Sequence, residues 1–263
     1  MIQAAAEQGL LAEERRRRIC TLVREQGRVT VGSLATRFGT SQVTIRGDLS
    51  VLESAGALVR THGGALPHTE EADQPLDVKQ LRHHAEKVRI GQAAAALIRD
   101  GETLILDSGS TTAEIARAIR RLDLRSVNVI TNALNVAALL IDAPAVRLIV
   151  PGGILRRESN SLAGPMAEAA LANLQADRLY LGADGIDPEI GVMTPHLPEA
   201  ELNAQMIRIA RQVVVVADSS KLLRRNVSLI ARVEQLHMLI TDRAAAPQPV
   251  EELRRRGIEV RLV

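Results

Sequence analysis

Aromatic residues, cysteines and long apolar runs are scarce in this sequence of 263 residues, which has no tryptophan, one tyrosine, one phenylalanine and one cysteine. The single cysteine, Cys20, excludes an intramolecular disulfide framework and agrees with a reducing compartment. Two aromatic side chains, Phe38 and Tyr180, argue against binding of single-stranded nucleic acid by base stacking. No apolar stretch approaches the ~20 residues that span a bilayer, and the first residues lack the basic and apolar segments of a signal peptide. These absences predict a cytoplasmic protein with no membrane partner.

The charge of the chain is distributed unevenly, although its formal net value is only +2. Residues 1–66 contain nine arginines against six acidic residues, whereas the rest of the chain contains 24 basic and 25 acidic residues. The basic excess therefore lies in the first quarter of the chain, as expected for a segment that meets a phosphate backbone. Lysine is rare, with three lysines against thirty arginines.

Residues 13–67 show the pattern of three short helices followed by a hairpin. Apolar residues at helical spacing predict a first helix from residue 13 to about residue 26, ending at Gly27. A helix over residues 31–38 ends at Gly39, and a third helix follows a Ser41 cap and ends before Gly56. The β-branched run 29–31 predicts a strand, and residues 58–66, with a Gly-Gly turn, predict a two-stranded wing. In this layout the third helix enters the major groove of DNA while the wing touches the adjacent backbone.

The exposed face of the third helix supplies the candidate DNA contacts. Arg46 can bind a guanine edge or a phosphate through its planar fork, and Thr44 offers a hydroxyl and a methyl group. The helix N-terminus can donate backbone N–H groups to a phosphate. A small protein-interaction or dimerisation module with a solvated arginine remains the alternative. The predicted DNA-binding residues are Ser41, Gln42, Val43, Thr44, Arg46, Gly47, Arg60 and His62.

These residues carry a resemblance to a known family. The runs 29–35 (VTVGSLA), 41–49 (SQVTIRGDL), 52–56 (LESAG) and 60–65 (RTHGGA) closely resemble the DeoR-type winged helix-turn-helix. The resemblance implies that double-stranded operator DNA is a partner. Gly47 departs from it, because the family pattern usually has a second arginine there. A glycine costs roughly 1 kcal/mol against alanine within a helix, so the groove contact is either lost or replaced by a closer approach of the backbone.

The pattern changes beyond residue 67. Residues 68–85 are polar and proline-bearing, which predicts a linker that runs into a helix. Over residues 86–263, apolar β-like runs alternate with helical patterns, which predicts an α/β domain with a mostly parallel sheet covered on both faces. The predicted strands are 103–106, 127–131, 146–150, 178–181, 212–217, 237–241 and 258–263.

The first of these strands ends in a loop of small residues that opens a helix. Such a loop presents backbone N–H groups and a helix dipole to an anion, although an ordinary capping turn has the same composition. It lacks a P-loop lysine and a G-x-G-x-x-G pattern, so no nucleotide cofactor is predicted. No cluster of His, Cys or carboxylate residues has metal-ligand spacing, so no metal site is predicted. The loop consists of Asp107, Ser108, Gly109, Ser110, Thr111 and Thr112.

Polar and small residues also follow other predicted strands, and the carboxyl ends of parallel strands meet at one edge of a sheet, where ligands bind. Lys221 is notable because a compact ammonium suits a phosphate or carboxylate in a small pocket, whereas the alternative is a solvated loop lysine. With the small-residue loop, the predicted ligand-binding residues are Asn132, Gly152, Gly153, Asp184, Gly185, Glu199 and Lys221.

These strand-end loops resemble the effector domain of DeoR regulators, which is similar to ribose-phosphate isomerases and CoA transferases, over about residues 75–263. The resemblance implies a phosphorylated sugar held by residues 108–112, with Asp184 and Lys221 reaching its hydroxyls or its phosphate. The stretches 191–195 (GVMTP) and 199–203 (EAELN) are most similar to the amino-sugar, AgaR-like branch.

The sequence as a whole predicts a DNA-binding transcriptional regulator, a repressor of a sugar-catabolism operon that a phosphorylated sugar releases. A winged helix that reads the half-sites of a pseudo-palindrome normally needs at least a dimer, so a homo-oligomer (dimer or tetramer) is expected. A sugar-phosphate isomerase is the alternative, in which Asp184, Glu199 and Lys221 would supply acid, base and electrostatic stabilisation. The DNA-binding head argues against an enzyme, and no catalytic residue is assigned.

Overall fold

Two units make up the chain, Met1–Gln74 and Pro75–Val263, and the computed structural model describes residues 10–26, 29–54, 57–61, 63–67 and 76–263 of them. The described part of the first unit, here called the head, contains α1 (Ala12–Gln26), β1 (Val29–Thr30), α2 (Val31–Phe38), α3 (Gln42–Ser54), β2 (Leu58–Thr61) and β3 (Gly64–Pro67). The three predicted helices and the wing are confirmed, while the predicted stops at Gly27 and Gly56 lie outside the described residues. The strands pair antiparallel in the order β1-β3-β2, so β1 joins the wing in one sheet.

Local hydrogen bonds set the ends of the two helices α2 and α3. Thr30 Oγ1 accepts from the backbone N–H of Ser33 (3.1 Å), and Ser33 Oγ accepts from the N–H of Thr30 (3.2 Å). Gly39 closes α2 in the left-handed conformation (φ 60°). Ser41 Oγ accepts from the N–H of Thr44 (3.1 Å) at the start of α3. The predicted glycine stop and Ser41 cap are therefore confirmed, and the caps satisfy backbone groups that a helix end leaves without partners.

Apolar side chains of all three helices form the core of the head. Ile19 of α1, Phe38 of α2 and the α3 residues Ile45 and Leu49 are buried in one cluster. Ile45 and Leu49 are four residues apart and therefore lie on the same face of α3. Their burial turns the opposite face of α3 outward.

The second unit, here called the α/β unit, is built on a seven-stranded parallel sheet, as the sequence predicts. Its strands in spatial order are β15 (Glu259–Leu262), β14 (Met238–Thr241), β12 (Ala210–Val216), β9 (Ala176–Leu181), β4 (Thr103–Leu106), β5 (Val127–Ile130) and β6 (Val146–Ile149). Its helices are α4 (Leu76–Leu81), α5 (His84–Ala95), α6 (Ser110–Ile119), α7 (Leu134–Leu140), α8 (Pro165–Leu171), α9 (Leu197–Ile209) and α10 (Pro247–Arg255). Thus α4 and the start of α5 lie within the range 68–85, of which residues 68–75 are outside the described residues. No helix in the described part of the chain is long and apolar enough to cross a membrane.

Each central strand contributes to two cores, one on either face of the sheet. Leu104 and Leu106 of β4 are buried in the same cluster as Ile90 of α5, whereas Ile105 belongs to the cluster that contains Met206 of α9. Successive side chains of a strand point to opposite faces. The continuous apolar runs of the sequence arise because both faces of these strands are buried.

The order of the strands reverses between β4 and β9. From β4 the chain proceeds to β5 and β6 on one side, whereas β9, β12, β14 and β15 follow one another on the other side. The chain therefore leaves the carboxyl ends of β4 and β9 toward opposite sides of the sheet, and we call the place between these two strand ends the crevice. Ligands of open α/β sheets bind at such a reversal of strand order.

Short antiparallel strands that the sequence did not predict accompany the main sheet. β10 (Gly185–Asp187), β11 (Gly191–Thr194) and β13 (Ser228–Arg232) form one sheet, and β7 (Ile154–Arg156) pairs with β8 (Ser161–Ala163). These strands have three to five residues each. Such runs are too short for a clear alternation of apolar and polar residues, which is the signal used to predict strands.

Two helical glycines, Gly47 of α3 and Gly91 of α5, should respond to alanine in opposite ways. A Cβ at Gly47 would meet no atom within 4 Å, so Gly47→Ala should raise the free energy of unfolding by roughly 0.5–1 kcal/mol, the difference in helix propensity. A Cβ at Gly91 would lie 2.7 Å from atoms of Glu114 on α6. Gly91→Ala should therefore lower the free energy of unfolding by about 1–3 kcal/mol, because the helices must move apart.

Urea unfolding of the full chain measures both effects. Tyr180 is the single tyrosine and is buried in β9, so its fluorescence reports unfolding of the α/β unit, whereas circular dichroism follows both units. A Gly91→Ala protein as stable as the wild type would contradict the close approach of α5 and α6. A Gly47→Ala protein less stable than the wild type would contradict the open surroundings of Gly47.

Candidate functional site

The outward side of α3 brings most of the predicted DNA-contacting residues together. Val43, Arg46 and Gly47 are exposed, and the apolar side chain of Val43 is 75% exposed. Gln42 Oε1 accepts a long hydrogen bond from Arg46 Nη2 (3.4 Å), which leaves the rest of the guanidinium open to solvent. We call this surface, formed by Ser41, Gln42, Val43, Thr44, Arg46 and Gly47, the recognition face.

A buried carboxylate on the inner side of α3 fixes the orientation of the recognition face. Asp48 is 2% exposed and accepts hydrogen bonds from Arg15 Nε (2.6 Å) and Arg16 Nε (2.9 Å), both on α1. Hydrogen bonds to a charged group stabilise a protein by about 1.5–3 kcal/mol each, and a buried carboxylate that lost them would be destabilising. The sequence analysis did not single out Asp48, because its burial depends on how α1 packs against α3.

The wing supplies one described residue of the predicted DNA-binding set. Arg60 Nη1 of β2 lies 3.5 Å from Glu53 Oε2 at the end of α3, and both side chains are partly exposed. An exposed ion pair contributes only about 0–1 kcal/mol, so little opposes the exchange of Glu53 for a phosphate. The other predicted wing residue, His62, lies outside the described residues.

In the α/β unit, the crevice between β4 and β9 is organised by the buried carboxyl of Asp107. Its Oδ1 accepts from the N–H of Ser108 (2.6 Å), and its Oδ2 accepts from the N–H of Gly182 (3.1 Å) and from Asn203 Nδ2 (3.3 Å). One side chain thereby joins the ends of β4 and β9 to α9. Burial, followed by the charge of Glu199, raises the pKa of Asp107 well above its usual value of 3.8. Asp107 therefore lies beneath the crevice as a structural centre.

The loop that follows β4 turns sharply into α6. Gly109 has a φ of 143°, which favours glycine, and its carbonyl accepts from Thr112 Oγ1 (3.1 Å). The first backbone N–H groups of a helix have no partner within the helix, so the start of α6 offers donors to an anion. The remaining residues of the loop are also buried: Ser108, Ser110 and Thr111.

Glu199, in the first turn of α9, faces the same loop. Its Oε1 accepts from Ser108 Oγ (3.1 Å), and its Oε2 accepts from Arg156 Nη1 of β7 (3.3 Å). Burial and then the charge of Asp184 raise the pKa of Glu199, although the charges of Lys79 and Arg156 act in the opposite direction. Glu199 therefore supplies a half-buried carboxyl whose proton is held more tightly than usual.

Asp184, which follows β9, lies among cations. Lys79 Nζ of α4 donates to Asp184 Oδ1 (2.8 Å), and Thr194 Oγ1 lies 3.5 Å from Asp184 Oδ2. Burial alone would raise the pKa of Asp184, but the charges of Lys79 and Lys221 outweigh it and hold the pKa below 3.8. Burial lowers the pKa of Lys221, and no residue in the described part of the chain forms a hydrogen bond or a close ion pair with its ammonium.

Lys87 of α5 is buried and joins α4 to this cluster of charges. Its Nζ donates to the backbone carbonyls of Lys79 and Arg82 and lies 4.0 Å from Asp218 Oδ2. Burial is the main cause that lowers the pKa of Lys87 to about 8. The three lysines of the chain, Lys79, Lys87 and Lys221, are thus brought together. The rarity that drew attention to Lys221 in the sequence applies equally to the other two, which the sequence analysis missed.

Two of the glycines predicted to bind a ligand are required by backbone packing. A Cβ at Gly153 would lie 2.8 Å from the carbonyl oxygen of Ala163, and one at Gly185 would collide with the carbonyl of Arg224. Close packing of backbone therefore accounts for glycine at both positions without a ligand. Gly152 is exposed beside Gly153.

Two buried amide side chains near the crevice keep an unsatisfied oxygen. Asn132, which follows β5, donates through Nδ2 to the carbonyl of Leu162 (3.1 Å), while Asn203 donates to Asp107. Neither Asn132 Oδ1 nor Asn203 Oδ1 has a hydrogen-bond partner among the described residues. Because a buried polar atom normally finds a partner, both oxygens are candidate acceptors for water or a ligand. Asn203 was not among the predicted site residues.

Comparison with known families gives two matches, one in each unit. The DeoR-like helix-turn-helix domain matches residues 15–71. The DeoR C terminal sensor domain matches residues 82–243. The recognition face lies within the first match, and the crevice between β4 and β9 lies within the second.

Similar proteins align over nearly the whole chain. A protein assigned as the aga operon transcriptional repressor of Escherichia coli O157:H7 is 42% identical over 95% of this chain and 93% of its own length. The HTH-type transcriptional regulator GlpR of Haloferax volcanii is 34% identical over 95% of this chain and 98% of its own length. The HTH-type transcriptional repressor GlcR of Bacillus subtilis is 32% identical over 94% and 95%. Among solved structures, a ribose 5-phosphate isomerase A from Methanocaldococcus jannaschii aligns with 52% of this chain and 53% of its own at 21% identity and a TM-score of 0.37, and it carries no functional argument.

Asp107→Asn should destabilise the α/β unit by about 2–3 kcal/mol, because the amide that replaces one carboxylate oxygen would face the donors of Ser108 or of Gly182 and Asn203. Asp142→Asn, at an exposed position, is the matched control and should change the free energy of unfolding by less than about 0.5 kcal/mol. Urea unfolding followed by Tyr180 fluorescence measures both variants. Equal stability of the two variants would contradict the central role of Asp107.

The difference in stability between wild type and Asp107→Asn should also depend on pH. The folded pKa of Asp107 lies above its unfolded value near 3.8, so its proton-linked stabilisation is complete below 3.8 and is lost as pH rises through the folded pKa. The difference in free energy of unfolding between wild type and Asp107→Asn should therefore decrease as pH is raised. A difference that grows with pH would mean that the carboxyl is stabilised in its charged form.

Proposed function

The chain belongs to the DeoR family of DNA-binding transcriptional regulators, and from this membership we propose that it represses a sugar-catabolism operon and is released by a phosphorylated sugar. The names of the similar proteins from Escherichia coli O157:H7 and Bacillus subtilis, both transcriptional repressors, support repression. The operator and the effector would both meet the protein in the cytoplasm.

The main support for this proposal is that lysines and carboxylates lie close together at the crevice between β4 and β9. A sugar phosphate presents hydroxyls, which need acceptors, and a phosphate, which needs cations and N–H donors. Asp184 and Glu199 supply acceptors, while Lys221 and the start of α6 supply a cation and backbone donors. Both kinds of group lie at the reversal of strand order, where a ligand of an open α/β sheet is held.

Lys221 is the residue that we assign to the phosphate. Burial disfavours its charged form, and the described residues offer its ammonium no hydrogen bond, so a dianionic ligand would stabilise it. An ammonium combined with helix N–H donors is a recurring arrangement at phosphate sites.

Asp184 is the residue that we assign to the sugar hydroxyls. Its low pKa keeps it ionised, and an ionised carboxylate can only accept hydrogen bonds. Its Oδ1 is occupied by Lys79, whereas among the described residues its Oδ2 has a hydrogen-bond partner in Thr194 Oγ1 alone, at 3.5 Å. A hydroxyl therefore has a free acceptor at Oδ2, and a phosphate at the same place would be repelled.

The recognition face is the surface that we assign to operator DNA. An α-helix fits the major groove, where Arg46 can form two hydrogen bonds with a guanine and an exposed apolar side chain such as Val43 can contact a thymine methyl. Arg60 would meet the adjacent backbone. Winged helices of this kind read paired half-sites, so the DNA-bound protein would be a homo-oligomer, a dimer or a tetramer.

A direct test uses an operator selected from a random-sequence duplex pool and a panel of ligands. The panel contains glucose 6-phosphate, glucosamine 6-phosphate, N-acetylglucosamine 6-phosphate and ribose 5-phosphate, together with the four unphosphorylated sugars. At least one phosphate should lower operator affinity by about 5- to 150-fold, and the operator should lower the affinity for that phosphate by the same factor. Release by unphosphorylated sugars alone, or by none of the panel, would refute the proposed effector class.

Glu199 gives a reason to test the alternative of an isomerase, because a carboxyl with a raised pKa beside a lysine cluster can serve as an acid or a base. Nuclear magnetic resonance of ribose 5-phosphate or glucose 6-phosphate incubated with the protein would detect aldose–ketose conversion. We expect no conversion above the protein-free rate. Turnover that disappears in Glu199→Gln would favour an enzyme.

Arg46→Ala should weaken operator binding by roughly 1–3 kcal/mol without unfolding the head, because an exposed arginine of the recognition face loses a charge-assisted contact. Arg211→Ala removes the same charge from an 81% exposed side chain of the α/β unit and is the control. Gel-shift titration at physiological salt measures both. Equal affinity of Arg46→Ala and Arg211→Ala would remove Arg46 from the interface.

Lys221→Ala should retain operator binding, and Lys221→Ala and Asp184→Ala should lose different parts of the ligand response. Lys221→Ala should reduce the preference for a sugar phosphate over the unphosphorylated sugar, because the cation that we assign to the phosphate is gone. Asp184→Ala should weaken binding of both ligands, because the hydroxyl acceptor is gone. Calorimetric titration with each pair of ligands measures the preference, and a Lys221→Ala protein that still discriminates fully would show that the phosphate lies elsewhere.

A further inference from the structure

Lys79 connects the cluster of lysines and carboxylates to the start of the α/β unit. It lies on α4, which begins at Leu76, two positions after the head ends at Gln74. From the sequence, this segment is predicted to be part of the linker and to contain no ligand-binding residue. The structure brings its lysine within 2.8 Å of Asp184, a residue that follows β9 more than a hundred positions later.

Leu76 of α4 is buried and α4 packs against α6. Polar contacts add to this packing, and two of them involve Lys79. The N–H of Leu76 donates to the carbonyl of Glu158 (2.8 Å). The ammonium of Lys79 donates to Asp184, and the carbonyl of Lys79 accepts from Lys87. The attachment of α4 therefore depends in part on charges that belong to the crevice.

The pair formed by Lys79 and Asp184 can be exchanged at small cost. The two side chains are 21% and 20% exposed, so both are reached by solvent. A partly exposed pair is worth far less than a fully buried one, because solvent screens the attraction. A doubly charged phosphate near Lys221 would also attract Lys79, whereas a sugar hydroxyl on Asp184 would compete for the same carboxylate.

We infer that Lys79 contacts the effector and couples the occupied crevice to the DNA-binding head. The inference rests on the proposed function of this crevice. When the effector binds, the ammonium of Lys79 leaves Asp184 for the phosphate, and α4 loses one of its attachments. Since α4 follows directly on the segment that leads from the head, a change in its position or order alters what the head can bind. Lys221, which follows β12, contacts the ligand but does not transmit its presence.

The decisive quantity is the coupling ratio, the operator dissociation constant at saturating ligand divided by that without ligand. The ligand is the panel member that releases the wild type most strongly, and saturation is checked for each variant by calorimetry. Lys79→Met, which keeps the length of the side chain and removes the charge, should weaken ligand binding about tenfold and reduce the coupling ratio to below about twofold. A Lys79→Met protein with the wild-type ratio at saturation, or with wild-type ligand affinity, would overturn the inference.

Two matched variants separate coupling from binding. Lys221→Met should weaken the ligand but keep the wild-type coupling ratio once saturated, because Lys221 is not on α4. Leu81→Ala changes an 81% exposed side chain of α4 and should alter neither quantity. Loss of coupling in Lys221→Met as well would mean that any loss of phosphate contact abolishes the response, and Lys79 would have no special role.

Hydrogen exchange of the wild-type protein tests the inference without any variant, so it does not depend on whether a variant folds. The backbone amides of residues 76–83 should exchange at a different rate, by at least about threefold, when the same sugar phosphate is bound. Unchanged exchange in this segment would overturn the inference even if Lys79→Met failed to fold. If no panel member releases the wild type from the operator, the proposed function itself fails, and that outcome is recognised before any variant is made.

Discussion

The hydrogen bonds of the buried Asp107 carboxyl are the interactions on which the crevice between β4 and β9 depends. Its two oxygens accept from the ends of β4 and β9 and from Asn203 of α9. If one of these elements moved, a buried donor or acceptor would lose its partner, at a cost of about 1–3 kcal/mol. The start of α6 and the position of Glu199, which is bound to Ser108, follow from this arrangement. The floor of the crevice is therefore held together by hydrogen bonds that depend on one another.

The charges of Lys79 and Asp184 are arranged differently, because these two side chains are partly open to solvent, whereas the neighbouring Lys87 is buried. Asp184 is shared by Lys79 and the field of Lys221, and Lys87 is held by backbone carbonyls. A compact ammonium can exchange one oxygen partner for another with little change of geometry, which a planar guanidinium cannot do as easily. The use of lysine here, in a chain with thirty arginines, is consistent with a site whose ion pairs are exchanged rather than fixed.

In the head, as in the α/β unit, a buried carboxylate joins secondary-structure elements, and the proposed binding residues lie on the surface. Asp48 ties α3 to α1 through Arg15 and Arg16, so the recognition face has a defined orientation. Gly47 lies on that face without a side chain, and its surroundings have room for one. The outward surface of α3 is therefore smaller than the DeoR pattern implies, and in the DNA complex that we propose the helix backbone would be able to approach the DNA more closely.

The sequence by itself determined the helices and strands of the head, the seven strands of the parallel sheet and the fold class, but not the short antiparallel strands. Helix caps at Ser41 and Gly39, the outward position of Arg46 and the parallel sheet all followed from local patterns, because hydrogen bonds near in sequence and the burial of both sheet faces produce them. Tertiary structure decided which residues meet. The reversal of strand order at β4 and β9, the burial of Asp107 and the pairing of Lys79 with Asp184 join positions far apart in the chain. No local pattern encodes such contacts, since they depend on how the strands are ordered and on where the helices pack.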